Sequence, residues 1–176
     1  MKFMNLTIRK RRPTMKISGK KGIAVILKII LVIIFLVCIL SMAITPIFLK
    51  QGAITKEKLG ATIICIYISS IPALVMLYQF IKIFGQLEKE NIFSKAIEKR
   101  FLISAVSSII IGIIYFINTL LIPSEVVGLE VTAIIVYVFF SVITAVIFLM
   151  FGIGLMILRE IYKTAIKNKE ENDLTI

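Results

Sequence analysis

Four stretches of this chain contain no charged residue at all: Ile29 to Leu49, Leu59 to Ile81, Phe101 to Ser124 and Val131 to Leu158, of 21, 23, 24 and 28 residues. The hydrocarbon core of a bilayer is about 30 Å thick, and about 20 predominantly apolar residues of helix cross it. Each stretch is therefore long enough to span once. Inside lipid such a segment has to be helical, because a helix satisfies its backbone donors and acceptors within itself. The sequence predicts an all-α integral membrane protein with four transmembrane helices in a bundle. Composition excludes the water-soluble alternative: 59% of residues are hydrophobic and 18% charged, against about 45–50% and about 25% in soluble domains.

The polar segments between the spans set the orientation. Met1 to Lys28 carries nine Lys or Arg and no acid, Lys82 to Arg100 carries five, and Arg159 to Ile176 carries four. Lys50 to Lys58 has three basic residues and Ile122 to Glu130 none. The positive-inside rule counts Lys and Arg near the helix ends, and here puts eighteen on one side against three on the other. A multi-pass protein of a bacterial cell membrane, the inner or plasma membrane, with both termini cytoplasmic, is the expectation.

The chain then divides into a basic arm over 1–22, spans over 23–49, 59–84, 101–121 and 131–158, and outer loops over 50–58 and 122–130. A cytoplasmic loop with a short helix occupies 85–100, and a helical extension with an acidic tail occupies 159–176. Lys28 sits inside the first apolar run, where a long stem lets its ammonium reach the inner interface as an anchor. Ser41, Met42 and Ala43 follow the small-x-small pattern of a signal-peptide cleavage site. The long basic arm and the apolar continuation to Leu49 favour a retained span.

Few groups in the spans carry chemistry. With two Cys and no His the chain offers no metal-ligand cluster and no histidine base, so no cofactor or metal is expected. Cys38 and Cys65 lie about 16 Å and about 6 Å below the outer ends of their helices, too different in depth to bridge, which predicts two free thiols. Glu125 and Glu130 lack a nucleophile or metal ligand beside them, so the chain reads as non-enzymatic. Small residues recur every four positions at Ala61, Cys65, Ser69 and Ala73, and again at Ser104, Ser108 and Gly112. Such faces let helix backbones approach closely in lipid, here as packing within the bundle or as the seam of a homo-oligomer. Pro46 and Pro72 each remove an intrahelical bond, which a neighbouring helix has to compensate. Asn118, the amide inside the third span, is expected to bond across helices.

Most soluble material falls on the cytoplasmic side, which is where work outside the bilayer is expected. Arg9, Lys10, Arg11, Arg12, Lys20 and Lys21 form a polybasic arm of the kind attracted to anionic lipids, at about 1 kcal/mol per cation. No helix-turn-helix pattern precedes the first span, so direct nucleic-acid binding is not expected. Ser94 is a candidate N-cap, with Phe93, Ile97 and Phe101 at four-residue spacing behind it. The end of the chain is acidic and closes on Leu174, Thr175 and Ile176, apolar groups and a carboxylate of the kind that peptide-binding proteins capture.

Two segments carry a resemblance. Asn91-Ile92-Phe93-Ser94 followed by Lys99-Arg100, together with Glu171-Asn172-Asp173-Leu174-Thr175-Ile176, resembles the YoaS-like family of small bacterial four-helix membrane proteins, a domain-of-unknown-function family. Its members commonly have Pro at the position of Ile92. They often occur beside small helix-turn-helix regulators of the Cro/repressor type. The resemblance thus implies a cytosolic transcription regulator as partner, in a setting such as envelope stress or bacteriocin immunity. On this reading Asn91, Phe93, Ser94 and Glu171 to Ile176 contact the partner. The competing reading is a small oligomeric transporter or channel for a small or apolar solute, which would draw on the prolines and small-residue faces.

Overall fold

The computed structural model describes residues 17–50, 60–89, 94–125 and 131–173. They form four helices, α1 (Ile17–Lys50), α2 (Gly60–Glu88), α3 (Lys95–Glu125) and α4 (Val131–Asp173), each of them long and apolar enough to cross a membrane. Hydroxyls within the spans are hidden by bonding back to their own helix: Ser41, Thr45, Ser70, Thr119 and Thr144 each donate to the carbonyl four residues earlier. This leaves apolar surface facing outward along the helix.

The helices pack in chain order. Backbone contacts run from α1 to α2, α2 to α3 and α3 to α4, and no other pair of helices approaches as closely among the described residues. α3 is consequently the enclosed element: Ser104, Ala105 and Ser108 are fully buried and Ile97 and Ile111 nearly so. On α1, Ile23, Leu36 and Leu40 are each about 60% exposed, the surface a lipid-facing helix presents.

Small residues explain how α3 and α4 come together. A Cβ added at Gly112 would lie 2.7 Å from Leu149 Cγ and 3.0 Å from the Ala145 carbonyl oxygen. One added at Gly152 would lie 2.6 Å from Ile109 Cγ1. Only glycine admits the neighbouring helix at these two points. Ser108 Oγ donates across the seam to the Phe148 carbonyl at 2.7 Å. Ser108 and Gly112 therefore line the α3–α4 interface inside one chain, and Ser104, one turn earlier on α3, is fully buried. In α2, Ser69 is buried and its hydroxyl donates to Ile66 O, whereas Ala73 borders a cleft against α1. Cys65 is half-buried, and the Ala61 side chain lies outside the described set. Cys38 and Cys65 are not bridged by a disulfide.

Pro46 lies inside α1, which continues past it to Lys50. Lacking an N–H, a proline leaves the carbonyl four residues earlier without its helical donor, which here is that of Met42. The Tyr67 hydroxyl of α2 donates to that carbonyl at 3.1 Å. A cleft of about 200 Å³ beside this bond is bordered by Cys38, Ser41, Thr45 and Ser70.

At one end of the bundle α1 begins, α2 ends, α3 begins and α4 ends. There α2, α3 and α4 converge on a core of Ile83, Ile97, Phe101, Ala105 and Leu155. The Phe80 and Phe151 rings approach to 6.1 Å between α2 and α4. Toward the opposite end a cavity of about 160 Å³ opens beside Ile66, lined by Tyr115, Asn118 and Ser141.

Candidate functional site

Charge concentrates at the converging end. α4 has 43 residues, about 65 Å at 1.5 Å per residue, whereas bilayer core and headgroups together measure about 40–45 Å. It projects beyond the membrane as an uninterrupted helix, and the sequence from Arg159 to Asp173 is the projecting part. Its helicity continues through the acidic run because cations and acids alternate at helical spacing: Lys163 pairs with Glu160 at 3.5 Å and Lys167 with Glu171 at 3.6 Å. Such exposed pairs each contribute only up to about 1 kcal/mol.

The projecting helix is braced on the first turns of α3. Ser94 caps α3: its carbonyl accepts from the Ile97 N–H at 3.0 Å, and its hydroxyl receives the same N–H at 3.4 Å. Glu98 sits in the first turn, where a carboxylate complements the helix dipole. It also accepts from Arg159 Nη2 at 3.1 Å, with the two side chains only 20% and 25% exposed. One turn further out, Lys95 pairs with Glu170 at 3.1 Å. Next to the Glu98–Arg159 pair, Phe101 and Tyr162 meet at a tilt of 60° with ring centroids 5.5 Å apart. Burial pushes the Tyr162 phenol up from its ordinary value of 10.0, so the ring stays neutral. A charged surface cleft of about 410 Å³ results, bordered by Lys95, Glu98, Lys163, Lys167 and Glu170.

This geometry brings two distant segments together. Ser94 adjoins Lys95 and Glu171 adjoins Glu170, so the Lys95–Glu170 ion pair sets the start of α3 beside the end of α4. Glu171 and Asn172 occupy the last turn of α4 and Asp173 ends it. Asn91, Phe93, Leu174, Thr175 and Ile176 lie outside the described residues, as do Arg9, Lys10, Arg11 and Arg12. Lys20 and Lys21 belong to the first turns of α1, with side chains outside the described set. On the opposite flank Lys28 pairs with Glu88 of α2 at 2.9 Å, so its ammonium is held by a carboxylate as well as by its depth.

Sequence reasoning missed Arg100. Its Nη1 donates to Gln79 Oε1 of α2 at 3.0 Å, while its Nε is buried without a partner. Position 100 immediately precedes the third span, but nothing local reveals which helix it faces. Asn118 Nδ2 donates to the Tyr137 hydroxyl of α4 at 2.8 Å, an interhelical bond far from the charged end. Among the described residues no group of His, Cys, Asp and Glu could hold a metal ion. Glu130 lies outside them, and so does the Glu125 side chain. What the charged end presents is a braced helix pair, alternating charge and an open surface cleft.

The chain matches over residues 22–176 the family profile described as Protein of unknown function (DUF2975). It belongs to the DUF2975 family. The DUF2975 match takes in all of the spans, the loop at Ser94 and the tail, and leaves the polybasic arm before it. No curated protein and no solved structure matches the chain.

Proposed function

We propose that this DUF2975 protein is a non-enzymatic membrane anchor in a bacterial plasma membrane, whose charged end faces the cytoplasm and binds a soluble partner. The observation that supports the reading is the Lys95–Glu170 pair at 3.1 Å, which sets Ser94 at the start of α3 beside Glu171 at the end of α4. The segments that hold these two residues carry the narrower YoaS-like resemblance, whose members adjoin helix-turn-helix regulators. The partner in this proposal is accordingly a small transcription regulator, with envelope stress or bacteriocin immunity as its setting. The eighteen-to-three distribution of Lys and Arg supports cytoplasmic termini. The polybasic arm holds anionic lipid and not DNA.

Affinity capture of the tagged full-length protein and of a version ending at Lys169, both from native membranes, tests the proposal. A soluble DNA-binding protein recovered with the full chain and reduced at least about tenfold, or about 1.4 kcal/mol, with the shortened one is expected. Equal recovery with both removes the tail from the mechanism. A homo-oligomeric transporter or channel is the second reading, supported by the cavity of about 160 Å³ beside Asn118 and Ser141. Solute flux in reconstituted vesicles would favour it over tethering.

A further inference from the structure

Charge pairing at the converging end is uneven. Each carboxylate with a described side chain there has a cation: Glu88 has Lys28, Glu98 has Arg159, Glu160 has Arg159 and Lys163, Glu170 has Lys95 and Glu171 has Lys167. On α2 and α3 the cations Lys82, Lys99 and Arg100 have no carboxylate among the described residues. Lys82 instead lies 5.3 Å from the centre of the Tyr78 ring, an exposed aromatic of the sort enriched at headgroup depth.

Arg100 is the unusual member of this set. It is half-buried, it stands directly before the 24-residue charge-free span, and its side chain donates to a neutral amide, that of Gln79. A guanidinium at the edge of hydrocarbon needs an anion, because charge withdrawn from water without a partner is costly. The planar guanidinium fork matches phosphate oxygens better than an ammonium does. Gln79 Oε1 takes one Nη1 hydrogen and so fixes the plane of the group while terminal donors remain for a ligand.

We infer that the α2–α3 seam at this end binds the phosphate of a phospholipid headgroup, with Arg100 as its ligand and Gln79 as a positioning residue. Lys82 on α2 and Lys99 next to Arg100 on α3 add positive charge at this end, which raises the local concentration of anionic headgroups. The site holds the helix pair at a fixed depth in its leaflet. It depends on neither the acidic tail nor the side of the membrane that the end faces.

Native mass spectrometry of the protein released from micelles doped with phosphatidylglycerol tests this. The wild-type chain and Lys89→Gln are expected to retain one lipid each, and Arg100→Gln to retain about tenfold less, as for loss of a charge-assisted hydrogen bond. Gln79→Leu is expected to weaken retention while leaving the helical circular dichroism unchanged. Should Arg100→Gln fail to fold, Arg100→Lys carries the test, because it keeps the charge and loses the fork: weaker retention supports the site and equal retention overturns it. Equal retention by a folded Arg100→Gln overturns it as well. Displacement of the lipid by millimolar inorganic phosphate would make the seam a soluble-anion site and overturn the lipid assignment. The version ending at Lys169 is expected to keep its lipid, so failure of tail-dependent capture leaves this readout intact.

Discussion

Replacing Tyr67 by Phe tests whether a helix defect in α1 is repaired by α2. The substitution removes one oxygen and leaves the Met42 carbonyl, already without a helical donor because of Pro46, with no partner from the protein. Hydrogen bonds between membrane helices average about 0.6 kcal/mol and reach about 1.7, and an orphaned buried acceptor costs about 1–3. The 3.1 Å distance and the half-buried setting place Tyr67→Phe near the lower part of that range, at about 1 kcal/mol. Pro46→Ala restores the backbone N–H to the Met42 carbonyl, so in that background the phenol becomes dispensable. A double-mutant cycle measured by reversible unfolding in mixed micelles should give a coupling of about 1 kcal/mol. Maleimide labelling of Cys38, which borders the adjoining cleft, reports the same event as faster modification in Tyr67→Phe alone. Equal losses in both backgrounds would mean that the hydroxyl acts elsewhere and would refute the repair.

Two serines one turn apart on α3 are expected to behave oppositely. Ser108→Ala loses the 2.7 Å bond to Phe148 O and should cost about 1 kcal/mol, whereas Ser104 Oγ is buried without a partner, so Ser104→Ala should be neutral or stabilising in the same unfolding assay. Gly112→Ala places a methyl 2.7 Å from Leu149 Cγ and should destabilise by about 1–3 kcal/mol; adding Leu149→Ala should recover part of that loss.

The four crossings were legible because lipid imposes one length and one backbone solution on each charge-free stretch. The pairing of the helices was less so. In a soluble bundle an apolar stripe marks the buried face, but here both the lipid-facing and the packed faces are apolar, and only small residues mark close approach. Ser104, Ser108 and Gly112 stood out at four-residue spacing. Their counterparts on α4, Ala145 and Gly152, are seven apart with large residues between, and escaped the same reading. Pro46 identified the Met42 carbonyl as needing a donor, yet its donor lies 25 residues away on another helix. Arg100 and Gln79 were missed for the same reason, because each is ordinary in its own segment and only their meeting across α2 and α3 is informative. At the charged end the Ser94 cap was visible in the sequence. The brace of Arg159 on Glu98 was not, since 61 positions separate them.

The chain-order packing has a consequence for how this protein is made. A helix that packs mainly on the one synthesised just before it finds its partner already in the membrane as it leaves the ribosome. Closing such contacts costs little loop entropy, because each connection is short. α1 and α2 can pair while α3 is still being translated, and α3 can join before α4 exists. The exception is late: the approach of α2 to α4, at Phe80–Phe151 and at the core shared by Ile83 and Leu155, waits for α4, and the Lys95–Glu170 brace waits for its extension. Assembly by this route proceeds vectorially, and the charged end that presents the tail is the last part to set.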